Sequence, residues 1–262
     1  MHKPHHGEIL VRKRAALLCV TMILAAPVCA KNKVKPVPSE SLDTFAGKTL
    51  ALAPHTKQVG VLRMGDAAGI GIISQDEATQ AVNRKVIKDL GVDGSKIIDP
   101  TAFVGEQLAS MLIASRNMQK WDADGEQGVR QLPDYRLEVT TKDWLVLSHP
   151  LKWRHYWVRY HVEVKLYDSY SSALVSKASC DELSNKAPAL PTLKQLYAND
   201  AKLLNDVSAS LAWKCVRSLA AEQLRVPATQ IASTPVDLVE PLANLPDDTD
   251  EEEGDSGARS AK

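Results

Sequence analysis

The 262-residue chain lacks the short motifs that mark most catalytic and nucleotide-binding proteins. The glycines between Val59 and Ser74 (Gly60, Gly65, Gly69 and Gly71) do not follow the dinucleotide fingerprint, and no Gly-Lys-Ser ending closes a phosphate loop. Serines are many, but none sits in Gly-x-Ser-x-Gly or in Ser-x-x-Lys beside a partner motif, so nucleophilic hydrolysis has no signature here. No apolar run reaches the roughly 20 residues that a membrane-spanning helix requires. Charge of one sign is also missing, since 32 basic and 32 acidic side chains cancel. A near-neutral body gives little of the long-range field on which non-specific nucleic-acid binding depends. Two of the four cysteines, Cys19 and Cys29, fall in the first 30 residues.

What is present begins with that leader. Arg12, Lys13 and Arg14 precede an apolar stretch from Ala15 to Pro27, and small residues at Val28 and Ala30 fit a processing site. This is the pattern of a secretory signal peptide over residues 1–30, and it places the mature chain in the periplasm or outside the cell. Cys29 invites comparison with a lipidated cysteine. Ala26 and Val28 stand where a lipobox has a leucine-like and a small residue, so soluble export is favoured over an outer-membrane lipid anchor. After cleavage 28 basic and 31 acidic residues remain. Seven of those acids lie between Pro246 and Lys262, which leaves the body slightly basic and the end strongly acidic.

Cys180 and Cys215 are then the only cysteines of an exported chain, in a compartment that oxidises thiols, and they are expected to pair. Closing a loop of about 36 residues would stabilise the fold by about 3 to 4 kcal/mol in the chain-entropy picture. Local patterning agrees. Leu174, Ala178 and Cys180 share a parity on a strand, and Cys215 belongs to a stripe with Leu204, Val207, Leu211 and Leu219 on a helix spanning Thr192 to Leu224, with a break near Asn199-Asp200.

Elsewhere, Lys48–His55 reads as a short strand and Val59–Ser74 as a loop or hairpin. Gln75–Leu90 has helical spacing. Asp99-Pro100 is a helix start, because a carboxylate can cap while proline occupies a position whose N–H would have no partner. Phe103, Val104, Leu108, Leu112 and Ile113 form the buried stripe of that helix. Residues 134–180 carry the strongest alternation in the chain, predicting three antiparallel strands. The expected architecture is α+β: a small antiparallel sheet, a meander of about three strands plus an N-terminal strand, covered on one face by helices. The expected organisation is a signal peptide at 1–30, a flexible lead-in at 31–47, a single domain at 48–224 and a disordered acidic tail at 225–262.

The candidate surface is the strand Leu151–Lys165, on whose outer side Trp157, Arg159, His161 and Glu163 fall together. As a metal site it is poor. His155 and His161 lie about 20 Å apart along a strand, and His161 with Glu163 supplies two ligands and no third. Asp122, Asp124 and Gly125 lack the spacing and closing glutamate of a calcium loop. No catalytic residue, cofactor or metal is therefore assigned. The reading is a non-enzymatic accessory or binding protein of the cell envelope, with an envelope protein or outer-membrane component as partner, no nucleic acid, and no membrane span after processing. Two alternatives stand beside it: a periplasmic hydrolase whose site assembles only in the fold, using His161 and Glu163, and a structural subunit of an oligomeric envelope assembly.

The segments IIDPTAFVGEQLASML (Ile97 to Leu112), DYRLEV (Asp134 to Val139), YHVEVKLYDSYSSALVSKASC (Tyr160 to Cys180) and WKCV (Trp213 to Val216) resemble, in this order, uncharacterised envelope proteins and lipoproteins of Gram-negative bacteria. The resemblance covers residues 48 to 222. It implies an envelope location and brings no activity or catalytic residue with it.

Overall fold

The computed structural model describes residues 34–54, 64–65, 88–89, 91–122, 132–149, 151–152, 154–186, 189–235, 238, 241–243 and 245. The expected leader, most of the glycine-bearing stretch and of the Gln75–Leu90 helix, and the acidic end from Pro246 lie outside those residues. Six strands form one sheet: β1 (Thr49–Leu52), β2 (Met64–Gly65), β3 (Gln119–Lys120), β4 (Tyr135–Ser148), β5 (Tyr156–Asp168) and β6 (Leu174–Leu183). Their order is β3-β1-β4-β5-β6, with β2 pairing the far end of β4. Among the described residues the long helices are α1 (Thr101–Arg116) and α2 (Leu193–Glu222), in an α+β fold.

The meander follows the alternation read from the sequence. β5 buries every second residue, from Val158 through Tyr160, Val162 and Val164 to Leu166. β4 and β6 flank it antiparallel, with Val139 opposite Val164 and Val162 opposite Cys180. Asp168 shapes the β5–β6 turn by accepting hydrogen bonds from the N–H of Tyr170 (3.1 Å) and Ser171 (2.8 Å), the local carboxylate turn that competes with continued strand. β1 joins in parallel, Leu50 opposite Tyr135, so the sheet is mixed. Asp134 fastens that junction. Its carboxylate accepts from the Thr49 N–H and Oγ1, both at 2.8 Å, while Thr49 Oγ1 accepts from the Asp134 N–H at 2.9 Å. Partial burial pushes the Asp134 pKa up, but the Thr49 donors and Lys48 outweigh it and hold the carboxyl below its ordinary range.

Both helices lie on the face that carries the apolar residues. α1 starts one residue later than expected: Pro100, not Asp99, takes the N-cap position, its carbonyl accepting from the Val104 N–H, and Asp99 Oδ1 accepts from the Thr101 N–H at 2.9 Å from just outside the helix. Val104, Leu108 and Leu112 then point inward, fully buried. Gly105 permits close packing on β1, because a Cβ there would stand 2.9 Å from Leu52 Cδ1. α2 opens with a reciprocal capping box, Thr192 Oγ1 accepting from the Gln195 N–H and Gln195 Oε1 from the Thr192 N–H. It breaks where Asn199, Asp200 and Ala201 take positive φ, the position marked by Asn199-Asp200 in the sequence. Beyond the break Leu204, Val207, Leu211, Cys215 and Leu219 are buried against the sheet. Cys180 and Cys215 form the disulfide, with Cα atoms 5.4 Å apart, joining β6 to α2.

The packed body extends past the boundaries placed at 48 and 224. Val37 and Phe45 are fully buried, and Phe45 meets the Tyr135 ring edge-on at 4.7 Å. Lys35 exchanges backbone hydrogen bonds with Lys177 on β6. The polar, proline-bearing composition of 31–47 hides two residues that each bring burial energy of order 1.5–3 kcal/mol. On the other side, Val226 and Leu242 are buried as well.

Candidate functional site

The face of the sheet away from α1 and α2 carries Trp157, Arg159, His161 and Glu163 in one row along β5, each partly exposed between buried neighbours. Among the described residues no helix packs on it. The local reason is strand geometry: with a period of two, the valines that fill the core force the residues between them to the other side.

Each charged member of the row is met from a neighbouring strand. Arg159 makes a two-pronged contact with Asp181 of β6, Nε to Oδ1 at 2.8 Å and Nη2 to Oδ2 at 2.5 Å. His161 Nδ1 lies 3.1 Å from Asp143 Oδ2 of β4; a carboxylate only accepts, so Nδ1–H donates. Glu163 is surrounded by three ammonium groups: Lys177 at 2.7 Å, Lys142 at 3.1 Å and Lys165 at 3.2 Å. Burial alone would raise the Glu163 pKa, but the three lysines outweigh it and bring the carboxyl down to about 2. Trp157 packs edge-on to the His149 ring, 4.7 Å between centroids, and at the opposite end of the sheet the Arg136 guanidinium stands 5.3 Å from the Tyr167 ring.

A bulge in β4 makes the pattern possible. Register against β5 shifts between Thr141 and Asp143, so the consecutive residues Lys142 and Asp143 both reach outer-face partners, Glu163 and His161. Before the bulge Leu137 and Val139 face inward, and after it Trp144 and Val146 do. Trp144 Nε1–H donates to Ser208 Oγ of α2 at 2.9 Å, which satisfies the indole inside the core.

Chemically the row is a lattice of paired charges rather than a set of free acids and bases. A carboxylate held near a pKa of 2 is a weak proton acceptor, and His161 is oriented by Asp143 on the partly exposed strand face. The cavity at the β5–β6 turn, about 100 Å³, lies at the far end, lined by Leu132, Pro133, Arg136, Tyr167 and Ser169 among others. It is smaller than usual ligand pockets. Among the described residues no group of three His, Cys, Asp or Glu side chains converges in a way that could hold a metal ion, and no helix is long and apolar enough to cross a membrane. Strand alternation alone puts Trp157, Arg159, His161 and Glu163 on one side of β5, but it does not reveal their cross-strand partners. Asp181, directly after Cys180, was visible as an outward strand position; Lys142 and Asp143 were not, because the bulge cancels the parity that would have placed them.

Together these features define a disulfide-joined α+β domain with one helix-covered sheet face and one charged, aromatic-ended face. No family model and no curated protein matches the chain. Among solved structures it is similar to the PelC dodecamer from Paraburkholderia phytofirmans, at 10% identity over 68% of this chain and 89% of that one, TM-score 0.32. A hypothetical protein from Chlamydia trachomatis shares 10% identity over 67% of this chain and 95% of its own, TM-score 0.34. A DUF330 protein from Xanthomonas campestris shares 10% identity over 71% and 93%, TM-score 0.31. Likenesses at this level carry no argument about the chain.

Proposed function

We propose that the protein is an exported, non-enzymatic binding or accessory component of the cell envelope, and that it holds an envelope protein or outer-membrane component on the outer sheet face through Trp157, Arg159, His161 and Glu163. The observation that carries this reading is the face itself. Its side chains are fixed in place by cross-strand pairs before any partner arrives, so little conformational entropy remains to be lost on binding. Trp157 at the end of the row supplies the apolar, rigid kind of contact on which interfaces concentrate their energy. The leader at residues 1–30 and the Cys180–Cys215 disulfide support an oxidising compartment.

The test is in-cell crosslinking of the tagged full-length chain and of the Trp157→Ala/Arg159→Ala variant, with the captured species identified by mass spectrometry. Arg159 and Asp181 are each about one-third exposed, so losing that pair is expected to cost no more than about 1 kcal/mol of stability and to leave the fold intact. The expected result is a reproducible partner captured by the wild type and lost from the variant at equal protein level. Equal capture by both overturns the assignment of the face.

A further inference from the structure

At the end of the sheet opposite the β5–β6 turn, β4 and β5 are joined by a turn in which His149, Leu151, Lys152, Arg154 and His155 are described, held by local hydrogen bonds. His149 Nδ1 accepts from the N–H of Leu151 (3.0 Å) and of Lys152 (2.8 Å). The His149 N–H donates to the His155 carbonyl at 2.8 Å, and Arg154 takes a positive φ of 63° to close the loop. The stem is fastened to the segment ahead of α2 by the Tyr156 N–H donating to the Pro191 carbonyl at 2.9 Å. This framework leaves Leu151 91% exposed, with Lys152 and Arg154 exposed nearby and Trp157 edge-on to His149 at the start of β5.

A single exposed leucine needs no explanation. A leucine left exposed at a hydrogen-bonded turn, with exposed Lys152 next to it, exposed Arg154 three positions on and Trp157 at the start of β5, is a different arrangement. From Trp144 to Val162 the sequence contains no Asp or Glu, and its cations are Lys152, Arg154 and Arg159. Asp181 already pairs with Arg159, and among the described residues no ion pair involves Lys152 or Arg154, so the positive charge sits at the turn. Apolar tip, flanking cations and interfacial aromatic are the three groups that match, in order of depth, acyl chains, headgroup phosphates and the water boundary of a bilayer. We infer that the β4–β5 turn docks on an anionic lipid surface, Leu151 entering the headgroup–acyl boundary while Lys152 and Arg154 contact lipid phosphates. This does not rest on the partner-binding role of the outer face.

The test is co-sedimentation of the full-length chain with vesicles of phosphatidylglycerol in phosphatidylcholine and with vesicles of phosphatidylcholine alone, comparing wild type, Leu151→Asp and Lys152→Glu/Arg154→Glu. Because all share the same leader, differences between them report the turn. Partitioning onto the anionic vesicles is expected to fall about tenfold for Leu151→Asp. It should fall at least about fivefold per reversed cation in the double variant, with added salt weakening the wild type. The substituted side chains are exposed, so each variant should retain the disulfide and its thermal midpoint; Leu151→Ser replaces any that does not. Variants that bind as the wild type does, or a wild type that binds neutral and anionic vesicles alike or neither, overturn the inference. Loss of vesicle binding with crosslinked protein capture intact would separate this surface from the outer face.

Discussion

Replacing Glu163 with glutamine removes one charge from the centre of the outer face while keeping the side chain's size. The carboxylate is 12% exposed and lies 2.7 to 3.2 Å from three ammonium groups. Its pKa falls from the ordinary 4.5 to about 2. At about 1.4 kcal/mol per unit, that shift corresponds to about 3 kcal/mol. The lysines are 25% to 42% exposed, and solvent screening reduces the realisable contribution to about 1–2 kcal/mol. The sign follows from proton binding. Between the folded and unfolded pKa values the unfolded chain holds more protons, so stability from Glu163 is full above about pH 4.5 and is lost as pH falls through about 2. Urea unfolding of wild type and Glu163→Gln should therefore differ by about 1–2 kcal/mol at pH 7, with the gap shrinking toward zero as pH approaches 2. A gap of the same size at pH 7 and near pH 2 would refute the electrostatic account, as would no gap at pH 7.

Removing the cross-link with Cys180→Ala/Cys215→Ala should cost about 4 kcal/mol, read as a lower urea midpoint, since the pair closes a separation of 35 residues. Alkylation at Cys180 and Cys215 in the unreduced native protein, mapped by peptide mass, would refute that pairing. Thr192→Ala breaks the reciprocal cap at the start of α2 and should lower stability by about 1 kcal/mol without moving the disulfide. Burial pushes the phenols of Tyr160 and Tyr197 well above their ordinary pKa. In an alkaline absorbance titration these two of the six tyrosines should ionise only as the protein unfolds, and a single transition near pH 10 covering all six would contradict the packing.

Much of the fold was written in local pattern. The valines at 158, 162 and 164 fixed the face of β5, and the parity of Ala178 and Cys180 together with the Leu204–Leu219 stripe brought the two cysteines to one interior. These signals are legible because strand and helix periods differ and each is sustained over several turns or rungs. Long-range pairing was not legible. Nothing near Thr49 announces that its partner is Asp134, because parallel strands are joined through intervening chain rather than a turn with a sequence signature. Val37 and Phe45 were read as part of a lead-in since isolated apolar residues among prolines and lysines show no period. For the outer face, the row itself came from the alternation, while its ion pairs depended on register and on the bulge at Lys142, both set by tertiary packing.

The Lys35–Lys177 and Thr49–Asp134 contacts also determine the order in which this chain can acquire structure. A chain that emerges from its N-terminus presents residues 35 to 52 ahead of the rest of the sheet, yet Thr49 finds its partner 85 positions later, and the Lys35 ammonium donates to the Leu174 carbonyl 139 positions later. The hairpin of β4 and β5 needs only its own neighbourhood, so it can form while the opening segment still waits. The segment from Lys35 to Leu52 can therefore be seated only once residues far along the chain are available, and its seating completes the core with Val37 and Phe45.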